Sequence, residues 1–468
     1  MLLRKAIEEI SGLRYVIDKL EIQSGLAKRI LYDSPYLVSK EEIEAKLDKV
    51  EIMRRYLLDV SLQKAFSELS IKLGQLRDIR GTISNLEKRQ VLGDVELFEL
   101  KSFALLSAEI NTILNDNDVD IIKIPDLENV IGILDPDNTR IPHFYIYDSY
   151  SPQLAELRKS IERLNRQPDG ESGNADKLYF QSVAIEDEIR ERLSGELYEY
   201  KEDILKALLN IAELDILIAK ANQSIEMKLC KPVISTGIFS FKGIFNPYIQ
   251  DILNKSNRHF QPVDIGIRKA PTLITGANMA GKTIMLKTVA LAQALFQFGF
   301  YVPVEAAQMA IVEEIVLIIG DEQSEAKGLS SFAAEMLNID RVIKTARNQK
   351  ILALIDEPAR TTNPEEGKAI VSALAEMLNQ YHVLSMVTTH YSGLQLTVRR
   401  LRVKGLMEDK IDSKLSVQNI NRLIEYTLIE DKEENVPHEA LRIAEILNVD
   451  EELINKAHLF LNANDTEK

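Results

Sequence analysis

Apolar residues recur at helical spacing through most of the first 240 residues. Ile43, Leu47, Val50 and Leu57 follow Ser39-Lys40-Glu41-Glu42, whose S-x-x-E form is that of a capping box, so a helix is predicted to start there. Leu154, Leu157, Ile161 and Leu164 repeat the pattern up to Asn165–Lys177, where a proline and two glycines among polar residues predict a loop tip. From Val183 through Ile189, Leu197, Ile204, Ile211 and Ile218 the period persists. At about 1.5 Å per residue such a helix would span roughly 60 Å, a lever with a candidate interruption near Gly195. Asp135–Tyr150 differs: turn residues lead into an aromatic, extended segment whose Phe144, Tyr145, Tyr147 and Tyr150 are expected to pack a small core rather than form a ligand surface.

After Ile234 the texture changes to short apolar runs separated by glycines and helical segments, the pattern of an α/β region with a largely parallel sheet. The expected organisation is therefore a long-helical region over 1–240 and an α/β region over 241–468 closed by a short helical tail. Within the second, Gly276-Ala277-Asn278-Met279-Ala280-Gly281-Lys282-Thr283 spells G-x-x-x-x-G-K-T between the apolar strand candidate Leu273-Ile274 and a helical run from Ile284 to Phe298. Strand, loop and helix stand in the order a phosphate-binding loop needs. Glycines let backbone N–H groups curl around phosphates, and the helix N-terminus adds the positive end of its dipole. Lys282 is suited to meet β- and γ-phosphate oxygens, and Thr283 offers a hydroxyl to Mg²⁺.

A second apolar run, Lys350–Ile355, ends in Asp356-Glu357. The first carboxylate is suited to the Mg²⁺ shell and the second to polarising an attacking water. A third run, His382–Thr388, delivers Thr389-His390, and a histidine at a strand end can reach a γ-phosphate as a sensor. These residues together imply ATP and Mg²⁺ as cofactors, with Glu357, His390 and Lys282 as candidate catalytic groups.

Composition narrows the setting. The chain has 468 residues, a single cysteine (Cys230) and a net charge of −15. One cysteine excludes a disulfide framework, and a reducing compartment, the cytoplasm, is expected. The amino terminus, MLLRKAIEEISGLRYVIDKLEI, offers neither the unbroken apolar core of a signal peptide nor the ~20 apolar residues of a membrane span. The charge divides into about −10 over 1–240 and about −5 over 241–468, so neither half is the basic module that counterion release from nucleic acid favours.

Four segments then resemble the ATPase motifs of MutS proteins in order and spacing: TGANMAGKT at 275–283, GDEQSEAKGLSSFAAEM at 320–336, LIDEPARTTNPEEG at 354–367 and TTHYSGL at 388–394. The resemblance implies a long-helical core and lever followed by a P-loop, ABC-type ATPase that works as a homodimer. It implies that Asn278 lies near the phosphates and that Phe260 stacks on adenine. It further implies that Gly328, Ser330 and Ser331 contact the partner subunit's γ-phosphate, and that Arg360, Thr361 and Glu366 stand beside the dimer seam. Pro358-Ala359 departs from the family's usual apolar residue and glycine, and Ala280 stands where glycine is common. Arg14–Arg55 and Leu214–Ala221 resemble the start and end of the family's core, and Ala440–Leu461 its helical closing segment. The mismatch-reading N-terminal domain and a nuclease-like C-terminal domain have no expected counterpart. Two readings follow. One is a DNA mismatch-repair-like clamp that binds DNA structure weakly and without direct mismatch reading. The other is an ATPase that remodels a protein client, resembling the MutS-like reactivating partners of cobalamin-dependent lysine 5,6-aminomutase.

Overall fold

In the computed structural model the described residues are 1–165, 172–268, 270–276, 281–320, 331–391, 394, 396–407, 424–431, 439–447 and 449–465. Among the described residues eleven α-helices precede the first strand: α1 (Leu3–Glu9), α2 (Leu13–Asp18), α3 (Gly25–Tyr32), α4 (Lys40–Leu58), α5 (Gln63–Leu73), α6 (Arg80–Glu87), α7 (Asp94–Asp116), α8 (Glu128–Leu134), α9 (Pro152–Asn165), α10 (Ser172–Tyr198) and α11 (Lys201–Glu226). The chain forms two compact units. One comprises Met1–Lys19, Pro35–Asp48 and Gln223–Lys468, the other Leu20–Ser34 and Lys49–Asn222, so that α4 and α11 contribute residues to both.

The all-helical unit is built by apolar stripes and a few buried polar fasteners. In α4, which both units share, the predicted cap at Ser39 forms, with Glu42 N donating to Ser39 Oγ at 3.3 Å, and Ile43, Leu47 and Val50 are buried. Asp215 of α11 accepts from Gln23 N (3.0 Å), Ser24 N (2.8 Å) and Ser24 Oγ (2.7 Å), while Ser24 Oγ takes Ala27 N, so one carboxylate ties down the start of α3. The long periodic stretch is two helices, and the turn between them lies at Glu199-Tyr200 rather than Gly195. A glycine inside a helix costs only about 1 kcal/mol against alanine and does not compel a break. The loop tip expected over Asn165–Lys177 is shorter at its far end, because α10 starts at Ser172; residues 166–171 lie outside the described residues.

The aromatic segment before α9 joins no strand ladder. Tyr147 is buried and carries its own fastener: Lys101 Nζ of α7 donates to the Tyr147 hydroxyl at 2.8 Å and pairs with Asp135 Oδ1 at 2.9 Å, with both ionised side chains fully enclosed. Of the four aromatic residues expected to pack a core, Tyr147 is buried, beside Ile146; Phe144 and Tyr150 are half-buried, and Tyr145 stacks on His143 in solvent.

The other unit carries the strands β1 (Val233–Ser235), β2 (Phe239–Ile244), β3 (Val263–Ile267), β4 (Pro271–Thr275), β5 (Ala306–Ala310), β6 (Glu314–Ile318), β7 (Ile351–Ile355), β8 (Leu384–Thr388), β9 (Arg399–Leu406) and β10 (Ile424–Glu430). Its later helices are α12 (Pro247–Lys255), α13 (Lys282–Gln297), α14 (Ser331–Ala346), α15 (Pro364–Gln380), α16 (Glu439–Ile446) and α17 (Glu451–Asp465). A four-stranded sheet has the order β1-β5-β2-β3, and a six-stranded sheet the order β10-β9-β4-β8-β7-β6. In the larger sheet every pairing from β9 to β6 is parallel, and β10 is an antiparallel edge. This is the largely parallel sheet the apolar runs predict. Strands β4, β7 and β8 are buried along their whole length, as parallel strands covered on both faces must be. Val342, Ile343, Val371, Leu374 and Leu378 of α14 and α15 cluster with Leu273, Ala353, Ile355 and Val387 of the strands. Each of the valine, leucine and isoleucine side chains contributes roughly 1.5–3 kcal/mol on burial. Helix α13 is buried almost throughout, and its last turn is pinned where the Gln297 amide donates to Leu37 O and Val312 O.

Candidate functional site

Strands β4, β8 and β7 lie side by side and point the same way, so their C-terminal ends open onto one edge. That edge is where parallel α/β sheets place ligands. Three chain segments arrive there: Thr275-Gly276 from β4, Asp356-Glu357 from β7, and Thr388-Thr389-His390 from β8.

The loop after β4 turns with Gly276 at φ 135° and Gly281 at φ 71°, and Gly281 is the N-cap of α13. Any side chain at 281 would be strained, and a Cβ there would press on the Tyr426 ring at 3.2 Å. Glycine is therefore required on both grounds. Lys282 and Thr283 open α13, where unpaired N–H groups and the helix dipole favour an anion. Lys282 Nζ donates to Gly276 O at 2.7 Å and lies 3.1 Å from Glu357 Oε1. Only 2% of the lysine side chain and 12% of the glutamate are exposed, so the two charges stand out of bulk solvent.

Asp356 is held from three sides. Its N–H donates to Ile318 O at 2.8 Å, its Oδ2 accepts from the Thr283 hydroxyl at 2.6 Å, and its Oδ1 accepts from the Thr388 hydroxyl at 2.6 Å. The same Thr388 oxygen accepts the Glu357 N–H at 2.9 Å. A hydroxyl and a carboxylate so joined at a helix N-terminus are hard oxygen donors, the chemistry that suits Mg²⁺, which takes few protein ligands and completes its shell with water and phosphate oxygens. His390 follows directly. Burial pushes its pKa below the usual histidine value, and Lys282 and Arg360 push the same way against Glu357, so the ring is neutral at physiological pH.

Beside the loop lies a cavity of about 700 Å³ lined by Phe260, Ile249, Leu253, Gly281, Met285 and Tyr426, among others. Its wall is mainly apolar, and Gly281 at the start of α13 is part of it. Phe260, which the resemblance assigns to adenine, is one of the residues of this wall. Tyr426 was not signalled by the sequence: it comes from β10, where the Gln261 side chain accepts its N–H at 3.2 Å. Thr388 opens the TTHYSGL segment, but the sequence assigns its hydroxyl no role. The phosphate-loop residues Asn278, Met279 and Ala280, and the partner-contact candidates Gly328 and Ser330, lie outside the described residues, as does the side chain of Ser331 at the start of α14. Arg360 faces Gly320, where a Cβ would stand 3.5 Å from its guanidinium; Thr361 is exposed; and Glu366 accepts from the Thr362 hydroxyl at 3.1 Å.

Residues 272–463 match the MutS domain V family. The chain is 37% identical over 212 residues to the endonuclease MutS2 of Caldicellulosiruptor saccharolyticus, covering 44% of this chain and 26% of that one. It is 30% identical over 279 residues to the endonuclease MutS2 of Finegoldia magna, covering 59% and 34%. With that of Lactobacillus acidophilus it shares 29% over 402 residues, covering 70% and 50%. The chain thus spans between a quarter and half the length of these relatives. No helix among the described residues is long and apolar enough to cross a membrane. A helical N-terminal region is followed here by mixed α/β sheets whose residues 272–463 match MutS domain V, an ABC-type ATPase domain, and the chain is distantly homologous to endonuclease MutS2 over part of its length.

Proposed function

We propose that ATP binds with its base in the Phe260–Tyr426 cavity and its phosphates on the loop before α13, and that Glu357 polarises the water that attacks the terminal phosphate. The observation that carries this is the convergence of Lys282, Thr283, Asp356 and Glu357 within direct bonding distance at one sheet edge. Lys282 would exchange its bonds to Gly276 and Glu357 for β- and γ-phosphate oxygens. Thr283 and Asp356 would hold Mg²⁺, which when bound neutralises charge on the β- and γ-oxygens. Glu357, released from the lysine, would orient water, and neutral His390 would offer a ring nitrogen to the terminal phosphate. Asn278, Met279 and Ala280 complete the loop in this reading. Ser330 and Ser331 complete the site of a second copy, giving an ATP-closed homodimer, in keeping with the dimers MutS-family proteins form. The region 1–240 serves as core and lever, and 241–468 as ATPase and tail.

The client of this ATPase is, in our reading, DNA structure engaged by the helical levers, as in a mismatch-repair-like clamp. The relatives' name, endonuclease, supports a nucleic-acid client. The acidic balance of −15 leaves few phosphate contacts, so binding to duplex DNA should be micromolar or weaker and collapse with salt, each neutralised phosphate adding about 0.9 to the slope of log K against log salt. The exposed His143–Tyr145 ring stack favours a second reading, a protein client such as a cobalamin-dependent lysine 5,6-aminomutase. ATPase rates measured with homoduplex, mismatched and branched DNA and with a purified aminomutase separate the two. Stimulation by branched DNA supports the clamp. Stimulation by the aminomutase alone overturns it in favour of the remodeller.

A further inference from the structure

The turn that follows β7 is strained. Glu357 has φ 44° and Ala359 φ 60°, both in the left-handed region that side chains disfavour, on either side of Pro358. The residue before a proline is further restricted against helical conformations, so Glu357 carries two penalties. Residues held this way cost on the order of 1–3 kcal/mol each and persist only where their surroundings over-determine them.

Three bonds do so here. Glu357 N donates to Thr388 Oγ1 at 2.9 Å, Ala359 N donates to Glu335 Oε1 at 2.6 Å, and the Tyr391 hydroxyl donates to Ala359 O at 2.7 Å. Ala359 is fully buried, so solvent cannot replace either of its partners. Glu335 lies in the second turn of α14 and Tyr391 just beyond β8, so two separate elements grip one residue by its N–H and its C=O. Tyr391 reaches its place only because residue 367 in α15 is glycine: a Cβ there would stand 2.1 Å from the hydroxyl. Burial, and after it the neighbouring Glu335 carboxylate, raises the Tyr391 pKa, which keeps the phenol protonated as a donor.

We propose that Glu335 and Tyr391 are positioning residues for the ATPase reaction: by clamping Ala359 they hold the Glu357-Pro358-Ala359 turn in its strained form and keep the Glu357 carboxylate beside Lys282. The inference rests on the reading of Glu357 as the group that polarises water. Freed from the clamp, the turn relaxes toward ordinary backbone angles and the carboxylate leaves its post. Nucleotide binding, carried by Lys282 and the Phe260 cavity, does not use the turn. The loss therefore falls on kcat and not on KM.

The test is steady-state Mg²⁺-ATP hydrolysis by the full chain and by Glu335→Ala, Glu335→Gln, Tyr391→Phe and Glu357→Gln, with thermal unfolding of each to count folded protein. Glu335→Ala and Tyr391→Phe are expected to lose at least about tenfold in kcat, equal to ~1.4 kcal/mol, with KM within about threefold of the parent. Glu335→Gln, whose amide oxygen still accepts the Ala359 N–H, should retain kcat within about threefold, a rescue that a need for the charge itself would not permit. Parental kcat in Glu335→Ala while Glu357→Gln is inactive overturns the positioning role alone. Parental kcat in Glu357→Gln overturns the reading beneath it. Should Tyr391→Phe fail to fold, the alanine and glutamine variants at 335 decide the matter between them: equal losses overturn the proposal, and rescue by glutamine supports it.

Discussion

Thr388 serves two neighbours with one hydroxyl, donating to Asp356 and accepting from Glu357 N. Valine has nearly the same shape and neither capacity, so Thr388→Val leaves a carboxylate oxygen and a buried N–H short of a partner, at about 1–3 kcal/mol. The expected outcome is a kcat lower by about tenfold and a higher Mg²⁺ requirement, with recovery in Thr388→Ser, read from ATPase rates across a Mg²⁺ titration. A valine variant with the parental Mg²⁺ curve would show that Asp356 holds its place without this hydroxyl. Ala359 illustrates how two small effects offset. Glycine there would relieve ~1–2 kcal/mol of left-handed strain but give up a fully buried methyl worth ~0.8 kcal/mol. Ala359→Gly should therefore unfold within about 1 kcal/mol of the parent in denaturant titration, which explains how alanine is accommodated where the resemblance has glycine. Among the site residues, Lys282, Thr283, Asp356 and Glu357 were legible because each sits at a set distance from a strand end. Glu335 lies within the segment 320–336 but that segment assigns it no role, and Tyr426 belongs to no motif and reaches the site only through the folding of the distant β10.

At the scale of elements, apolar runs announced β4, β7 and β8, and the helices α4, α9, α10, α11 and α13 follow from their periodicity. The smaller sheet was not legible. It pairs Val233–Ser235 with Gln308–Ala310 across a long separation, and nothing local in three residues encodes that partner. In the segment 141–147 the aromatic pattern announced a small core, but not its polar anchor: Tyr147 is held by the buried Lys101–Asp135 pair. That pair makes its own prediction. Burial works to raise the Asp135 pKa, but the Arg140 N–H, Lys101 and Thr139 outweigh it and hold the carboxyl down to about 2. A carboxylate whose pKa is depressed on folding stabilises at every pH above its unfolded value, and that contribution fades as pH falls toward the folded one. Denaturant stability should therefore be flat on this account above pH ~5 and decline from about pH 4 to pH 2. Lys101→Ala strands the carboxylate with no solvent to turn to and should cost about 3–5 kcal/mol, seen as a lower unfolding midpoint of the full chain. It should also flatten the acid decline. A variant as stable as the parent would mean that the hydroxyl and backbone donors alone suffice.

For the whole molecule, the ATP-closed pair is the claim with the widest consequence. A Lys282→Ala chain cannot balance the phosphate charge, and a Ser330→Arg chain should spoil only the site of the copy it faces. Each should be inactive alone. Mixed, they form dimers in which one of the two composite sites is intact, so part of the activity should return. Dimers that form without any recovery would argue that each copy completes its own site.

The central claim, that hydrolysis is carried out by Glu357 at the edge of the β4-β8-β7 sheet beside a phosphate loop that binds independently of it, is tested most directly in one variant. ATP affinity and steady-state Mg²⁺-ATP turnover should be measured on the same preparation of Glu357→Gln. The account predicts affinity within about threefold of the parent and turnover lower by on the order of 10²-fold or more, because the amide retains the shape of the carboxylate but cannot polarise water. Parental turnover in that variant would contradict it.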